Sequence, residues 1–435
     1  MGSPFTKNSP IDLRSTTRSS SLPAPIAFLL EDLARDLVAN DLAGIIADLD
    51  PVSFAPRVLS LSGDERSLPA DIRARLPESI VLKGPLRRPF WNVGLIRRFL
   101  LDVKETKPAV IVVSGGREAL EFAAKVVEWA QRPAVYLAPS GDPAFPWGRR
   151  RALDAFAKIV ATTGRLTYRL VEEFKLPEQK VATIYPGVDA ERFAFAPMPG
   201  TRAAEGGGAA KNADERAPCG GRAEGDESPL VGVLGDPPSA TMRAIAAAFA
   251  EAGEVPGASE AAGASERAST RRPRLAAPKA LAPLADLGPS WTAEAFARVS
   301  LLLFLPDSDW ETGFETMLRG MAVGRPVIAA VPSERIDDMV IDGETGRIVA
   351  NAEPDAIASA VRELLASREL HASMGIAARM RIAGEFGRAR RRLDWDALLR
   401  VVGRIPFPSP TVKGPLGPGP AGPTTLPIKF NAGNR

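Results

Sequence analysis

The sequence predicts an α/β protein with two Rossmann-like domains, each a doubly wound parallel sheet, that face a cleft. Short apolar runs alternate with helical patterns along most of the chain, an order typical of parallel sheets covered by helices on both faces. Residues 109–114 and 301–305 are almost wholly apolar, as strands buried on both faces are. A chain of 435 residues is long enough for two domains of this kind.

The composition is that of an ordinary globular protein, with 45% hydrophobic residues, 25% charged residues and a net charge of +3. This net charge gives no general attraction to polyanions, and no nucleic-acid-binding motif occurs. The single cysteine, Cys219, and the single histidine, His371, exclude a disulfide framework within the chain and metal sites built from several such residues. His371 comes early in a predicted helix, where we expect it at the surface.

No apolar run approaches the roughly 18 residues that a membrane-spanning helix needs. The apolar run near the start of the chain is short and is interrupted at once by charged residues, unlike that of a signal peptide. We therefore expect a cytoplasmic protein.

In the first half of the chain, each predicted strand is a short apolar run, and each predicted helix repeats apolar residues every three or four positions. The strands are predicted at 25–30, 58–61, 80–83, 109–114, 134–138 and 158–163, and the helices near 33–49, 70–76, 91–103, 118–130 and 168–174.

A second strong signal is the segment 181–193, which reads VATIYPGVDAERF. Its apolar start predicts a strand, Pro186-Gly187 predicts a tight turn, and Asp189 can cap the turn that follows. We interpret the segment as the connection between the two domains.

The second half repeats the alternation after two stretches rich in Ala and Gly. Strands are predicted at 230–234, 301–305 and 326–330, and helices near 242–250, 291–299, 313–323, 354–365, 370–382 and 388–401. Asp342-Gly343, within 341–349, predicts a turn. Gly324 is placed to end the helix that begins near Gly313.

The turn between the strand at 301–305 and the next helix is acidic and ends in Glu311. In a parallel sheet, ligands bind at the carboxyl ends of strands beside helix N-termini. Glu311 and the backbone N–H groups of Thr312, Gly313 and Phe314 are therefore candidate ligand contacts. An ordinary solvated acid near a helix start is the alternative interpretation of Glu311.

This segment resembles the donor-site segment of family 4 glycosyltransferases, whose pattern is Glu-Gly-Phe-Gly, four residues, then Glu-Ala-Met-Ala-x-Gly-x-Pro-Val-Ile. The matching residues are Met321, Ala322, Gly324, Pro326, Val327 and Ile328. The alignment places the first family glutamate on Glu311 and the second on Arg319. The segment 181–193 also matches the interdomain segment of that family.

The resemblance implies the GT-B fold, a retaining sugar transfer from a nucleotide-sugar co-substrate, and no metal or other cofactor. Glu311 would contact the transferred sugar, and the amides of Thr312, Gly313 and Phe314 would face the donor phosphates. The second glutamate of the family holds the ribose, so Arg319 in its place is a candidate contact to ribose or phosphate.

Several family positions are occupied differently in this chain. Gly235 and Ala240 stand where an Arg and a Lys neutralise the donor diphosphate, with Arg243 nearby. The loop 139–147 offers Ser140 and Asp142 but no histidine, and Leu30–Leu33 replaces a glycine-rich turn.

We predict the following organisation of the chain. A disordered leader spans 1–24, the acceptor-side domain 25–195, a disordered linker insertion 196–228, the donor domain 229–387 with a low-complexity insertion at 251–278, a closing helix 388–402 and a disordered Pro/Gly-rich tail 403–435.

The leading hypothesis is a hexosyltransferase that uses a nucleotide sugar and a glycan or lipid-linked acceptor. A catalytically silent relative that binds a partner or a glycan is the alternative, and a phosphorylase or epimerase-like enzyme is a third. The closing helix carries a basic run, Arg388, Arg390, Arg391 and Arg392. This run is either a solvated face or a contact to an acidic partner or to anionic lipid at the inner membrane surface.

Overall fold

The computed structural model describes residues 22–33, 36, 42–64, 66, 68, 70–75, 79–82, 93–138, 150–197, 230–234, 244–245, 274–276, 292–305, 314–330, 336, 338–349 and 353–407. Most of the predicted leader, of the linker insertion and of the tail lies outside these residues, and β1 begins at Ala24, the last residue assigned to the leader.

The first half of the chain forms a parallel seven-stranded sheet. Its strands are β1 (Ala24–Asp32), β2 (Phe54–Ser62), β3 (Ser79–Val81), β4 (Val110–Ser114), β5 (Ala134–Leu137), β6 (Lys158–Ala161) and β7 (Val181–Thr183). The strand order is β3-β2-β1-β4-β5-β6-β7, so the direction of winding reverses between β1 and β4.

Helices cover both faces of this sheet. They are α1 (Leu42–Asp48), α2 (Ala70–Arg75), α3 (Val93–Thr106), α4 (Arg117–Ala130), α5 (Arg150–Asp154) and α6 (Gly164–Tyr168), the last continued by a π-helical turn. The strand predicted at 158–163 ends at Ala161 because Thr163 turns the chain into α6, and its hydroxyl accepts from Leu166 N at 3.0 Å.

The second half forms a parallel five-stranded sheet in the order β12-β11-β10-β8-β9. Its elements are β8 (Leu230–Leu234), β9 (Arg274–Ala276), α7 (Ala293–Arg298), β10 (Leu301–Phe304), α8 (Phe314–Ala322), β11 (Val327–Ala329), β12 (Gly346–Ile348), α9 (Pro354–Ala366) and α10 (Arg368–Glu385). The low-complexity insertion predicted at 251–278 thus contains a strand, because 274–276 pair with β8.

Gly324 ends α8 as predicted, with φ at +89°. A Cβ at this position would lie 2.6 Å from the Phe195 ring, so both the backbone conformation and the packing require glycine.

The closing helix α11 (Arg388–Gly403) packs against the first sheet. Trp395, Leu398 and Leu399 share a buried cluster with Ile26 of β1 and Val112 of β4. The helix α11 therefore belongs to the hydrophobic core of the first domain, although its sequence follows the second.

Candidate functional site

The chain crosses between the two sheets twice, and the two crossings are hydrogen-bonded to each other. Val188 N donates to Phe386 O at 2.7 Å, and Arg388 N donates to Val188 O at 3.1 Å. The Asp189 carboxylate caps the next turn, as predicted, by accepting from Glu191 N and Arg192 N at 3.1 and 3.0 Å. These contacts bring the carboxyl ends of β5–β7 to the same side as the start of α8.

Beside the crossings, the first turn of α11 is clamped to the first domain by ion pairs. Arg391 Nη2 donates to Asp48 Oδ2 at 2.7 Å, Arg388 also pairs with Asp48, and Arg388 Nη1 donates to Asp189 Oδ2 at 2.8 Å. Hydrogen bonding to Asp48 raises the pKa of Arg388 above its ordinary value, against the opposing effect of burial.

This clamp corrects both interpretations of the basic run for Arg391, whereas Arg390 and Arg392 are exposed, as the solvated-face interpretation expects. The Arg391 side chain is only 3% exposed, so it is neither a solvated face nor available to lipid. Arg390 is exposed and pairs with Asp394 on the same helix.

A second contact joins the domains at the start of α6. Asp338 of the second domain accepts from Gly164 N at 2.8 Å, and Arg381 holds the Asp338 backbone by donating to its carbonyl at 2.6 Å. Tyr185 lies beside the same carboxylate, and burial, with the Asp338 charge, raises its pKa well above the usual value.

Among the residues predicted to bind the donor, Phe314 and Arg319 are described, and both belong to α8. Glu311, Thr312 and Gly313 are outside the described residues, so their roles stay predictions. Phe314, the first residue of α8, is 2% exposed and packs in the core.

Arg319 lies in the last turn of α8 and has protein partners. Its Nη2 lies 3.5 Å from Glu315 Oε2, and its guanidinium lies 5.9 Å from the centre of the Phe193 ring. Its contact to ribose or phosphate stays a prediction.

At the point where the winding of the first sheet reverses, the chain supplies its own carboxylates. Glu31 Oε2 accepts from Gly116 N, the residue that precedes α4, and Asp36 Oδ2 accepts from Glu31 N at 2.7 Å. Gly115 has φ at +139°, and a Cβ there would lie 2.6 Å from Glu31 Cβ. An acid therefore occupies the helix start that a phosphate would otherwise use.

A cavity of about 20 Å³ lies where the two domains meet at the crossings. Most of its walls are apolar, from α1 and the carboxyl ends of β5 and β7, and Tyr185 and Trp395 contribute aromatic rings. Thr162, Glu315 and Arg391 supply its polar groups. Thr162 Oγ1 is buried and has no hydrogen-bond partner among the described residues.

Sequence reasoning did not identify this polar set. In the sequence, Glu315 is one acidic residue within a predicted helix, and Thr162 is part of the strand predicted at 158–163. Only their placement at the carboxyl end of β6 and in the first turn of α8 could have marked them, since ligands bind at such ends.

The prediction that His371 lies at the surface is wrong. The side chain is buried against the end of β10, where its Nε2 lies 2.9 Å from Ser300 O. Burial lowers the pKa of His371 to about 4. The surrounding face of α10 is apolar because it packs on the sheet.

The other sequence candidates, Ser140, Asp142, Cys219, Gly235, Ala240 and Arg243, lie outside the described residues. Within the described ranges, no group of three or more His, Cys, Asp or Glu side chains could hold a metal ion. None of the helices described is long and apolar enough to cross a membrane.

Comparison with known proteins links the second domain to sugar transfer. Residues 295–381, from α7 to α10, match the family described as "Glycosyl transferases group 1". A D-inositol 3-phosphate glycosyltransferase from Streptomyces coelicolor is 27% identical over 265 residues, which is 58% of this chain and 55% of that protein. The chain thus spans about half the length of the curated relative it matches.

Solved structures share the fold along most of the chain. A glycosyltransferase from Rickettsia africae has a TM-score of 0.58 at 13% identity, covering 87% of this chain and 98% of its own. HepE from Anabaena, solved in complex with UDP and glucose, has the same TM-score and identity over 86% and 99% of the two chains. The protein therefore has the GT-B architecture of these glycosyltransferases, and its second domain is similar in sequence to glycosyl transferases of group 1.

Proposed function

We propose that this chain is a retaining glycosyltransferase of family 4 that moves a hexose-type sugar from a nucleotide sugar to a glycan or lipid-linked acceptor. The observation that carries the proposal is the group 1 match at 295–381 on a GT-B fold, because this segment contains the strand, turn and helix predicted to bind the donor.

In this proposal, Glu311 contacts the transferred sugar and orients its anomeric carbon. The amides of Thr312, Gly313 and Phe314 at the start of α8 face the phosphates, since a helix N-terminus favours negative charge by about 0.3–1 kcal/mol when exposed. Arg319 lies further along α8 and supplies positive charge near the ribose. No metal or other cofactor takes part, so EDTA is expected to leave turnover unchanged.

A nucleotide sugar is the proposed donor, and two features support this. HepE was solved with UDP-glucose as well as with UDP. The Glu31 carboxylate at the start of α4 in turn disfavours a phosphate in the first domain, which leaves the second domain to bind the diphosphate. The name of the Streptomyces relative makes an inositol phosphate one acceptor to test.

We further propose a cytoplasmic protein that contacts the inner membrane surface peripherally. The outward face of α3 supports this, because Arg97, Arg98 and Lys104 are exposed beside Val93 and Leu101, which are 70% and 54% exposed. Cosedimentation with phosphatidylglycerol vesicles, but not with phosphatidylcholine vesicles, is expected; equal recovery in both would contradict the proposal.

Calorimetric titration of the full chain with UDP, GDP, ADP and their sugar conjugates tests the donor assignment. One nucleotide is expected to bind at micromolar concentration. Glu311→Ala should lower the affinity for the sugar conjugate but not for the bare nucleotide. The control Glu344→Ala, at an exposed position, should leave both affinities unchanged. Unchanged turnover in Glu311→Ala would remove Glu311 from the site.

The silent-protein alternative receives no support from the comparisons. The absence of binding by every nucleotide in this titration would support that alternative. Donor-dependent turnover by the purified chain would eliminate it.

A further inference from the structure

One carboxylate of the second domain contacts two separate parts of the first half of the chain. Asp338 lies between β11 and β12, and its Oδ2 accepts from the backbone N of Gly164, the first residue of α6, at 2.8 Å. The Tyr185 hydroxyl, just after β7, hydrogen-bonds to the same carboxylate. A Cβ at Gly164 would lie 2.8 Å from Asp338 Oδ2 and 3.4 Å from Tyr185 Oη, so the three groups meet at one point.

The second domain holds this carboxylate in place through its own contacts. Arg381 of α10 donates to the backbone carbonyls of Asp338 and Met339 at 2.6 and 3.2 Å. Its guanidinium lies 5.5 Å from the centre of the Phe386 ring, and the Tyr185 ring packs edge-on against the same ring at 4.8 Å between centres. Asp338 is therefore anchored on its own domain at the position where it meets the other.

The Asp338 contact lies beside the two crossings, which attach to different domains on either side of a short stretch. Arg379 of α10 donates to the carbonyls of Ala190 and Phe193 at 2.9 and 2.6 Å, which attaches the first crossing to the second domain. The clamp to Asp48 attaches the start of α11 to the first domain. Short connections of this kind let two domains rotate, and a further contact beside them limits that rotation.

We propose that Asp338 is a positioning residue that fixes the angle between the two domains and thereby the place of the donor-binding helix α8 relative to the first domain. Sugar transfer needs donor and acceptor in a fixed mutual geometry, and a displacement of about 1 Å can slow a reaction roughly 100-fold. The effect on turnover rests on the proposed function, in which the second domain binds the donor, whereas the effect on the angle does not.

Double electron–electron resonance between two spin labels measures the angle in the full chain without ligand. The labels are placed by Glu128→Cys on α4 and Glu369→Cys on α10, both at exposed positions, with Cys219→Ser to remove the native thiol. With Asp338 intact, one narrow distribution of distances is expected.

Two substitutions loosen the contact to different extents. Asp338→Ala removes both hydrogen bonds and should broaden the distribution by several ångströms, because rotation about the crossings is then less restrained. Tyr185→Phe keeps the ring against Phe386 and the bond to Gly164, so it should broaden the distribution less. The controls are Glu344→Ala, at an exposed position in the same connection as Asp338, and Tyr168→Phe, at a tyrosine that is 62% exposed; both should leave the distribution unchanged.

Turnover tests whether the angle matters for the reaction. It is followed as UDP release from UDP-glucose with an inositol phosphate as acceptor. Asp338→Ala should lower kcat roughly tenfold, the contribution of one or two hydrogen bonds, and should leave KM for UDP-glucose and the affinity for UDP unchanged. A merely structural role would lower the urea midpoint but would leave kcat of the folded chain and the distances as in wild type.

Each outcome bears on a stated part of the inference. Narrow, unshifted distributions in both Asp338→Ala and Tyr185→Phe overturn it, and Tyr185→Phe alone decides if Asp338→Ala does not fold. Broadened distributions with unchanged kcat support the fixed angle and overturn its effect on turnover. Absence of turnover in wild type counts against the proposed function alone, since the distances still test the Asp338 contact.

Discussion

The clamp between Asp48 and the first turn of α11 gives the sharpest stability prediction. Asp48→Asn keeps the shape of the side chain but removes the charge that faces Arg388 and Arg391. Because the side chains of Asp48 and Arg391 are 10% and 3% exposed, the change leaves a buried guanidinium without its counter-charge. Breaking such a buried pair typically costs about 3–5 kcal/mol.

We expect the lower end of this range, about 3 kcal/mol, because the asparagine oxygen still accepts one hydrogen bond. Arg388 contributes little to the loss, since it is 39% exposed and keeps Asp189 as a partner. Urea unfolding followed by far-UV circular dichroism measures the change, and hydrogen exchange should accelerate in α11 first because this helix is held by the clamp.

Asp394→Asn is the matched control, because it removes an acid that forms an exposed ion pair with Arg390 on α11, the helix held by the clamp. It should cost less than about 0.5 kcal/mol. The double variant Asp48→Asn with Arg391→Met should lose less than the sum of the single changes. A loss below about 0.5 kcal/mol for Asp48→Asn would refute the clamp.

Three further predictions concern buried groups and a close approach between the domains. Burial lowers the pKa of His371 to about 4 in the folded state, so its contribution to the free energy of unfolding is complete above pH 6.5, its unfolded pKa. As the pH falls from 6.5 toward 4, this contribution is lost at up to about 1.4 kcal/mol per pH unit. Subtracting the profile of unfolding free energy against pH for His371→Gln from that of wild type should isolate this slope, and parallel profiles would contradict it. Gly164→Ala would place a Cβ 2.8 Å from Asp338 Oδ2 and should lower the free energy of unfolding by about 1–3 kcal/mol. The control Gly384→Ala has open space around its Cβ and should stabilise α10 by up to about 1 kcal/mol. Equal urea midpoints for the two variants would contradict the close contact at Gly164. Arg325 is fully buried and donates to the carbonyls of Phe296, Ala297 and Pro197. Arg325→Met should therefore lower the free energy of unfolding by about 3 kcal/mol in the same urea assay. A loss below about 1 kcal/mol would show that these carbonyls find other partners.

Local periodicity reports how each segment is buried, which explains why the fold class was predictable. The apolar run at 301–305 became the central part of β10 because strands buried on both faces must be apolar throughout. Gly324 and Asp189 were predictable as the end of a helix and the cap of a turn, since these roles depend on neighbours within a few positions.

The side chains between the domains were not predictable in the same way. His371 and Arg391 belong to polar residue types that are usually exposed. Their partners, Ser300 O for His371 and Asp48 for Arg391, are far away in the sequence, so the neighbouring residues do not indicate these contacts. Thr162 and Glu315 are more than 150 positions apart in the sequence, yet they line one cavity.

The sequence by itself thus determined the two sheets, the crossing turn and the donor-like segment, because hydrophobic spacing, turn residues and caps act over short distances along the chain. The tertiary structure decided which charges are buried as pairs and which side chains of the two domains line one cavity. Those outcomes depend on the angle at which the two sheets meet and on the return of α11 to the first domain, and local patterns do not encode either.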